Sequence, residues 1–349
     1  MLLQLYMSIT LWQSIVSLGL LRHTKHLSHL SVCRDEMDRV VCFAGRTVLL
    51  CKAMHEGEVK SMRVYIEKRR GLRKIYGENY YPMELPIVEM GRIVACADVV
   101  LTDWYEGKTL QRVIEERYAD TEYMQNLLER FEEFALWLLE QPWAHGDIKP
   151  DNIIVDGDKI HLIDYDAMYT PDMDKDDCEE LGTPAYQHCT RSRQNFGRDI
   201  DDYPLAMIIT ILSALIYDSS LGEILCENDT HFISPMEAVN GTDEMLKRVE
   251  RLLAENGDAR HYRIAGLLRS PYLAQPRLRE YIRSKPHPWS GDIPLEIAVE
   301  NSLWGYRAGD DWVIPPLYDM AFDMEEGRGR VCLADNWFYI DEQGEIIKD

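Results

Sequence analysis

The sequence predicts an α+β protein in which a β-rich stretch comes first, a helical stretch follows and a small β-meander comes last. Before about residue 103, short β-branched and aromatic runs alternate with turn residues. Over 123–140 apolar residues recur at intervals of three and four, which is the spacing of a helix that buries one face. After residue 291, short aromatic runs with Gly and Asp turns return.

Length and composition narrow the class of protein. The chain has 349 residues, 46% of them hydrophobic, which suits one domain of about 250 residues with a small appendage. The formal charge of -22 would repel nucleic-acid phosphates and anionic lipid, so neither is expected as a partner. The eight cysteines are scattered, without CxxC or metal-type spacing. Reduced thiols in a cytoplasmic protein are therefore expected.

The first residues form a separate apolar segment, 1–27. Residues 1–21 carry no charge, and basic residues follow them, which is the wrong order for a secretory signal. Polar interruptions also make the run weaker than a usual spanning helix. We expect a helix that packs on the β-rich part; a membrane tether through 1–21 or an over-extended start is the alternative.

The β-rich part is expected to contain five strands and one helix. The predicted strands are 27–32, 40–43, 47–53, 85–89 and 93–101, with a Gly45-Arg46 turn between the second and third. Residues 58–74 are predicted to be a helix, because Met62, Tyr65, Ile66 and Leu72 make a broken apolar stripe among charges.

One stretch carries most of the chemistry. Residues 145–152 read His-Gly-Asp-Ile-Lys-Pro-Asp-Asn, and Asp164 follows after two apolar runs joined by an Asp-Gly turn. Asp147 could accept the proton of an incoming hydroxyl, and Lys149 could offset charge on a moving phosphoryl group. The hairpin would bring Asn152 and Asp164 to its two ends, where both could hold Mg²⁺. The pattern indicates phosphoryl transfer.

This stretch resembles the catalytic loop of eukaryotic-like (bacterial) Ser/Thr protein kinases. Residues 181–186, Leu-Gly-Thr-Pro-Ala-Tyr, resemble the Gly-Thr-Pro-x-Tyr segment that follows the activation loop in that family. The resemblance covers about 28–285 and implies a two-lobed protein-kinase-like fold. Its β-rich small lobe would span about 28–103 and its helical large lobe about 104–285, with ATP and Mg²⁺ as cofactors.

The resemblance also implies roles for residues outside the loop. Lys52, on the third predicted strand, would reach the phosphates of ATP. Glu67, on the predicted helix, would pair with Lys52 and hold it in place, and Glu58 is the alternative partner. The Asp103 carbonyl and the Tyr105 amide would contact the adenine edge from an extended hinge.

Two more elements would support the loop. By the same resemblance, the Thr183 hydroxyl would bond Asp147 and Lys149. An Asp that leads the next apolar helix would bond the backbone of the loop. Asp201 and Asp202 both suit that place, and both could equally be N-caps; the register favours Asp202.

The chain departs from the family at three places. Residues 33–38 stand where a glycine-rich flap is expected, but they contain no glycine and three carboxylates, which oppose a nucleotide. Gly146 replaces the usual Arg, so an activation-loop phosphate has lost its customary partner. Gln187-His188-Cys189 replaces the Ala-Pro-Glu ending, which puts the buried Glu–Arg pair of the family in doubt.

A linker near 285–291 leads into the last segment, 292–349, which looks like the bacterial WG repeat in one to two copies. Trp304-Gly305 and Trp337-Phe338 stand at equivalent places, 33 residues apart. Its aromatic residues are expected to form the segment's own core. A peptide or glycan site is the alternative use for them.

These observations predict an ATP- and Mg²⁺-dependent Ser/Thr protein kinase that acts on an unknown protein substrate. A pseudokinase that serves as a binding scaffold would follow if the acidic flap excludes nucleotide. A small-molecule kinase of the aminoglycoside or choline type would share Asp147 and Asp164, although Lys149 is unusual for that class.

Overall fold

The computed structural model describes Leu27 and residues 30–33, 42–44, 48–65, 67–89, 92–227 and 232–347. The predictions for 1–26, for most of the flap and for the Gly45-Arg46 turn lie outside these residues. The protein is mixed α+β, as predicted. It forms two compact units, residues 1–106 with 172–179, and residues 107–171 with 180–349.

An antiparallel sheet dominates the first unit. Its strands are β1 (Ser31–Val32), β2 (Cys42–Ala44), β3 (Val48–His55), β4 (Glu58–Tyr65), β5 (Tyr80–Glu89) and β6 (Arg92–Asp103). The strand order is β1-β3-β4-β6-β5, and β2 also pairs with β3. Apolar side chains on one face of this sheet, such as Leu49, Met62 and Val99, are buried together.

The helix predicted over 58–74 is wrong. Glu58–Tyr65 is strand β4, which pairs with β3 over its whole length and with β6 on its other side. Glu56 and Gly57, both with positive φ, make the tight turn that enters it. Met62 and Tyr65 have helical spacing, but they lie on opposite faces of β4, whose last four residues are buried on both faces. Pairing at both edges of β4 satisfies its backbone groups. Among the described residues of this stretch, an α-helix begins only at Leu72; it is α1 (Leu72–Tyr76).

The second unit is largely helical. Its helices are α2 (Leu110–Arg117), α3 (Thr121–Glu140), α4 (Asp202–Tyr217), α5 (Ser220–Glu227), α6 (Pro235–Val239), α7 (Glu244–Glu255), α8 (Ala259–Leu267) and α9 (Arg277–Arg283). Helix α3 begins at the N-cap Asp120, whose carboxylate accepts the N–H of Tyr123, and buries the predicted apolar stripe. Helix α4 is buried on all sides from Asp202 to Leu215.

Within the described residues, one helical stretch, Arg198–Tyr217, is long and apolar enough to cross a membrane. Most of it is buried inside the protein, which is consistent with the core helix of a soluble protein. The tether considered for 1–21 lies outside the described residues.

A small sheet carries the loop of interest. Strands β8 (Ile153–Asp156) and β9 (Lys159–Leu162) form the predicted hairpin around Gly157 and Asp158, and β7 (Lys108–Thr109) pairs with β8. A Cβ at Gly107 would lie 2.3 Å from the carbonyl oxygen of Val155, so only glycine lets β7 approach β8 this closely.

Two three-stranded sheets follow. One contains β10 (Glu296–Glu300), β11 (Leu303–Ala308) and β12 (Asp311–Tyr318); the other contains β13 (Met320–Ala321), β14 (Gly329–Leu333) and β15 (Asn336–Ile340). Strand β12 packs on α8, where Arg263 donates to the Leu317 carbonyl at 2.8 Å and pairs with Asp319 at 2.7 Å. The apolar residues of both sheets join the core of the helical part.

Candidate active site

The loop at 145–147 is anchored by a buried carboxylate. The backbone N–H groups of His145 and Gly146 both donate to Asp201, the second at 2.8 Å. The His145 ring is fully buried, and its Nε2 lies 2.9 Å from the Ile163 carbonyl oxygen. The anchor predicted at Asp202 is therefore off by one residue, because the Asp202 carboxylate accepts the backbone N–H of Gln275 at 2.7 Å instead.

Two glycines allow the loop to pack closely. Gly146 has φ +80°, and a Cβ there would lie 2.0 Å from the Ala167 carbonyl oxygen. Gly182 has φ +77°, and a Cβ there would lie 2.5 Å from the Gly146 carbonyl oxygen. Position 146 thus excludes every larger side chain, including the Arg that the kinase family usually has there.

Three of the predicted site residues meet around the carboxylate of a fourth, Asp147. The Thr183 backbone N–H donates to Asp147 Oδ1 at 2.6 Å, and Asn152 Nδ2 donates to Asp147 Oδ2 at 3.0 Å. Lys149 Nζ lies 3.7 Å from Asp147 Oδ2 and donates to Thr183 Oγ1 at 3.0 Å. The Thr183 hydroxyl therefore contacts Lys149, whereas the backbone of Thr183 contacts Asp147. Each carboxylate oxygen keeps a lone pair that could accept a further proton donor.

Asn152 and Asp164 flank the β8–β9 hairpin, as predicted. The Ile163 N–H donates to the Asn152 carbonyl at 3.0 Å, which fixes the two ends of the hairpin side by side. Asp164 has φ +69°, a left-handed conformation that costs a non-glycine residue about 1–3 kcal/mol. Such strain is most often maintained at functional sites, which makes Asp164 a functional candidate.

These residues fit Mg²⁺ as part of a larger ligand set. Asn152 turns its amide nitrogen to Asp147, so its Oδ1 makes no hydrogen bond within the described part of the chain. No three Asp, Glu, His or Cys side chains among the described residues cluster closely enough to hold a metal. Mg²⁺ commonly takes one or two protein ligands and completes its shell with phosphate and water oxygens. Asn152 and Asp164 are suited to that mode of binding.

Lys52 lies on β3 of the first unit and is already paired. Its Nζ lies 2.5 Å from Glu106 Oε1 and 5.0 Å from the centre of the Trp104 ring. Glu67, its predicted partner, lies in an exposed bend after β4 and not on a helix. Glu58 pairs with Lys60 at 2.7 Å. The structure therefore corrects the partner of Lys52 to Glu106, a residue that sequence reasoning did not single out.

The two residues predicted to contact adenine lie where β6 ends. Asp103 is the last residue of β6 and pairs in register with Lys60, which also donates to its carboxylate at 2.9 Å. Tyr105 follows between β6 and β7, just before the boundary between the two units, which falls after Glu106. Burial raises the pKa of the Tyr105 hydroxyl.

Residues 172–179 belong to the first unit, where they pack on α1. Lys74 Nζ donates to Asp177 at 2.8 Å and to the Asp172 carbonyl at 2.9 Å. The side chain of Met173 is buried near Gly71. Hydrogen bonds to Lys74 lower the pKa of Asp177, so the ion pair is maintained at neutral pH.

Gln187 is the first residue of the Gln-His-Cys triplet that replaces the Ala-Pro-Glu ending of the kinase family. Its side chain is buried, and within the described residues neither its Nε2 nor its Oε1 has a hydrogen-bond partner. An unpaired buried amide costs about 1–3 kcal/mol, and Cys189, at the Glu position of this triplet, has no carboxylate to form an ion pair.

The β10–β11 and β14–β15 hairpins have equivalent strand pairing, as the 33-residue spacing predicts. Trp304 faces Val299 across the β10–β11 hairpin, and Trp337 faces Cys332 across the β14–β15 hairpin. Both hairpins turn on two residues with positive φ, Asn301-Ser302 and Ala334-Asp335. Each element of the second hairpin therefore lies 33 residues after its counterpart.

The comparisons with known proteins concern this C-terminal part. Residues 310–337 match the family model described as "WG containing repeat". A search of curated proteins found no significant match to the chain. The C-terminal part of the prediction is thus confirmed: the chain carries a WG-containing repeat over residues 310–337.

Proposed function

We propose that the protein is an ATP- and Mg²⁺-dependent kinase that transfers a phosphoryl group to Ser/Thr hydroxyls of a protein substrate. The arrangement around Asp147 carries the proposal. Two donors orient this carboxylate from opposite oxygens, and Lys149 lies beside it. A fixed carboxylate beside a fixed cation is what phosphoryl transfer to a hydroxyl requires, since positioning and charge supply most of its rate enhancement.

Each residue has a distinct role in this proposal. Asp147 accepts the proton of the acceptor hydroxyl, while Thr183 and Asn152 keep its carboxylate from rotating. Lys149 offsets the negative charge that builds up during transfer. Asn152 and Asp164 would hold Mg²⁺ and Lys52 would bind the nucleotide phosphates; when bound, ATP supplies the phosphoryl group and Mg²⁺ neutralises part of its charge.

Protein Ser/Thr residues are favoured as acceptors over small molecules. Thr183 connects to both Asp147 and Lys149, and in Ser/Thr protein kinases this segment forms the floor for the acceptor residue. A cytoplasmic location agrees with the scattered cysteines, which show neither CxxC nor metal-type spacing.

A pseudokinase scaffold is the second candidate, because a specific contact favours it. Lys52 is engaged by Glu106 rather than by a helical Glu, and the flap carries three carboxylates. Exposed ion pairs contribute only about 0–1 kcal/mol, so bound phosphates could still displace Glu106 from Lys52. A thermal shift with Mg-ATP separates the two functions, since only a nucleotide binder is stabilised.

Transfer of radiolabelled phosphate from ATP tests the catalytic proposal. We expect incorporation into the protein itself or into a generic protein substrate, reduced at least about 100-fold by Asp147→Asn and strongly by Lys52→Ala. Asp158→Asn is the matched control, because this side chain is fully exposed in the turn of the β8–β9 hairpin, which follows the loop of Asp147. Equal incorporation by wild type and Asp147→Asn would reject the mechanism. A thermal shift with no transfer would favour the scaffold.

A further inference from the structure

In the first hairpin of the WG-type segment, the face that carries Tyr306 is covered by a later part of the chain. Tyr306, on β11, is fully buried, and its hydroxyl donates to the Phe322 carbonyl at 2.6 Å. Gly329 lies against the same hydroxyl, which a Cβ at that position would approach to 2.5 Å. The stretch 322–329 therefore covers the Tyr306 face by a backbone carbonyl and a glycine.

The described residues leave the equivalent face of the second hairpin exposed. Tyr339 lies 33 residues after Tyr306, and its cross-strand neighbour is Arg330, where Tyr306 has Ile297. Tyr339 is 47% exposed, and the neighbouring Trp337 and Phe322 are 42% and 49% exposed. Together these three aromatic side chains form what we call the WG face, beside an open groove of about 910 Å³.

Charge indicates what kind of group fits there. Asp323, Glu325 and Glu326 line the groove, and none of them forms an ion pair within the described part of the chain. Arg328 and Arg330 line it too, which leaves the lining with one net negative charge, and Arg330 is stacked on the Trp337 ring at 4.5 Å. The whole segment 292–349 contains fourteen carboxylates against four basic residues. The field at the groove therefore attracts cations.

We propose that the WG face binds an extended, basic peptide segment of a partner protein. The covering of Tyr306 supplies the pattern: a peptide carbonyl accepts the Tyr339 hydroxyl, a small residue lies over the ring, and Lys or Arg side chains reach the three carboxylates. Aromatic side chains with a polar tip are common anchors for such contacts. This inference is independent of the proposed phosphoryl transfer, because the binding requires no nucleotide.

The probe can be derived from the chain itself. Residues 320–331, which include the natural cover of Tyr306, read Met-Ala-Phe-Asp-Met-Glu-Glu-Gly-Arg-Gly-Arg-Val. A fluorescent peptide with Lys in place of the Asp and both Glu residues keeps the glycines and reverses the charge. We expect it to bind the full-length protein with a Kd of about 10–500 μM at low salt, and the unmodified peptide to bind about tenfold more weakly.

Variants identify the surface. Tyr339→Ala and Trp337→Ala should each raise the Kd at least about fivefold, and raising the salt to 0.5 M should weaken binding. Tyr272→Ala is the matched control, since this tyrosine is 74% exposed in the helical part and should leave the Kd unchanged. Melting temperatures of all variants show whether each one is folded.

Three outcomes would overturn the proposal. One is no saturable binding of the Lys peptide up to about 1 mM, the limit of meaningful affinity for a short peptide. Another is equal binding by Tyr339→Ala or by a scrambled peptide of the same composition, which would reduce the effect to non-specific charge attraction. The third is tighter binding of the unmodified acidic peptide, which would indicate a WG-type hairpin of a second copy as the occupant.

Discussion

The carboxylate of Asp201 accepts the backbone N–H of Gly146 across 55 residues of sequence. A second bond from His145 makes Asp201 the anchor for the loop that carries Asp147. Burial raises the pKa of Asp201, but the two N–H donors and the His145 ring favour its charged form.

Replacing this anchor should destabilise the protein and misplace the loop. In Asp201→Asn, one of the two N–H groups faces an amide NH₂ and loses its acceptor, so we expect a loss of about 2–4 kcal/mol in unfolding free energy. Urea denaturation measures it. Asp199→Asn, exposed two residues earlier, should change stability by less than about 0.5 kcal/mol. Similar losses in both variants would contradict the anchoring role.

A methyl group at position 146 should be poorly tolerated. Gly146→Ala places a Cβ 2.0 Å from the Ala167 carbonyl oxygen and adds strain at φ +80°, which should cost at least about 3 kcal/mol. Gly197→Ala is the control, because nothing lies within 4 Å of its Cβ position. Calorimetric melting of both variants tests this. A stable Gly146→Ala protein would show that the Ala167 segment can move away.

Asp202 should give stability a distinctive pH dependence. Burial raises its pKa to about 7, whereas an unfolded Asp titrates near about 3.9. The folded state therefore binds the extra proton between these values, and the contribution of Asp202 is lost as pH rises from about 4 to 7. In Asp202→Asn, the fall in unfolding free energy of about 1–4 kcal/mol between about pH 4 and 7 should be absent. Parallel wild-type and variant profiles of unfolding free energy against pH would refute this.

Glu132, on α3, is the centre of a buried charge cluster. Its carboxylate contacts Arg260 and lies 2.9 Å from His261 Nε2 and 3.2 Å from Lys285 Nζ. Burial alone would raise the pKa of Glu132, but the His261 hydrogen bond and the Arg260 charge lower it to about 2. His261 in turn has a raised pKa, because burial is outweighed by Asp258 and Glu132.

Removing the Glu132 charge should deprive Arg260 and Lys285 of this buried partner, while His261 keeps Asp258. We expect Glu132→Gln to lose about 3–5 kcal/mol at neutral pH, and the adjacent exposed Glu133→Gln to lose almost nothing. Because the folded pKa of Glu132 lies below the unfolded value, its contribution is lost as pH falls from about 4 to 2. Chemical denaturation at pH 7 and at pH 3 should therefore show a smaller difference between wild type and variant at pH 3.

The second WG hairpin offers a stabilising change. Ala334 sits in the turn at φ +47°, where an alanine is strained and a glycine is not, so Ala334→Gly should gain about 0.5–1 kcal/mol. The same replacement at Ala308, which lies in strand β11, should destabilise by a similar amount. Thermal melting distinguishes them. A loss of stability in Ala334→Gly would mean that the side chain contributes more than the turn costs.

Local patterns were predictable from the sequence. The hairpin at 153–162, helix α3 and the 33-residue offset of the WG hairpins all depend on periodicity and turn residues within a few positions. The helix predicted over 58–74 failed for the same reason. Its apolar spacing suits a helix, but the stretch is a strand that is buried on both faces at its end and paired with β3 and β6.

The sequence by itself therefore determined the α+β class, the residues of the 145–152 loop and the WG-type segment, because each is encoded by neighbours along the chain. Only the tertiary structure decided that Asp201 and not Asp202 holds the loop, that Glu106 pairs with Lys52, and that no side chain fits at position 146. Adjacent residues such as Asp201 and Asp202 have the same local sequence pattern. Which of them makes a given contact depends on where distant elements place their donors, charges and carbonyl groups.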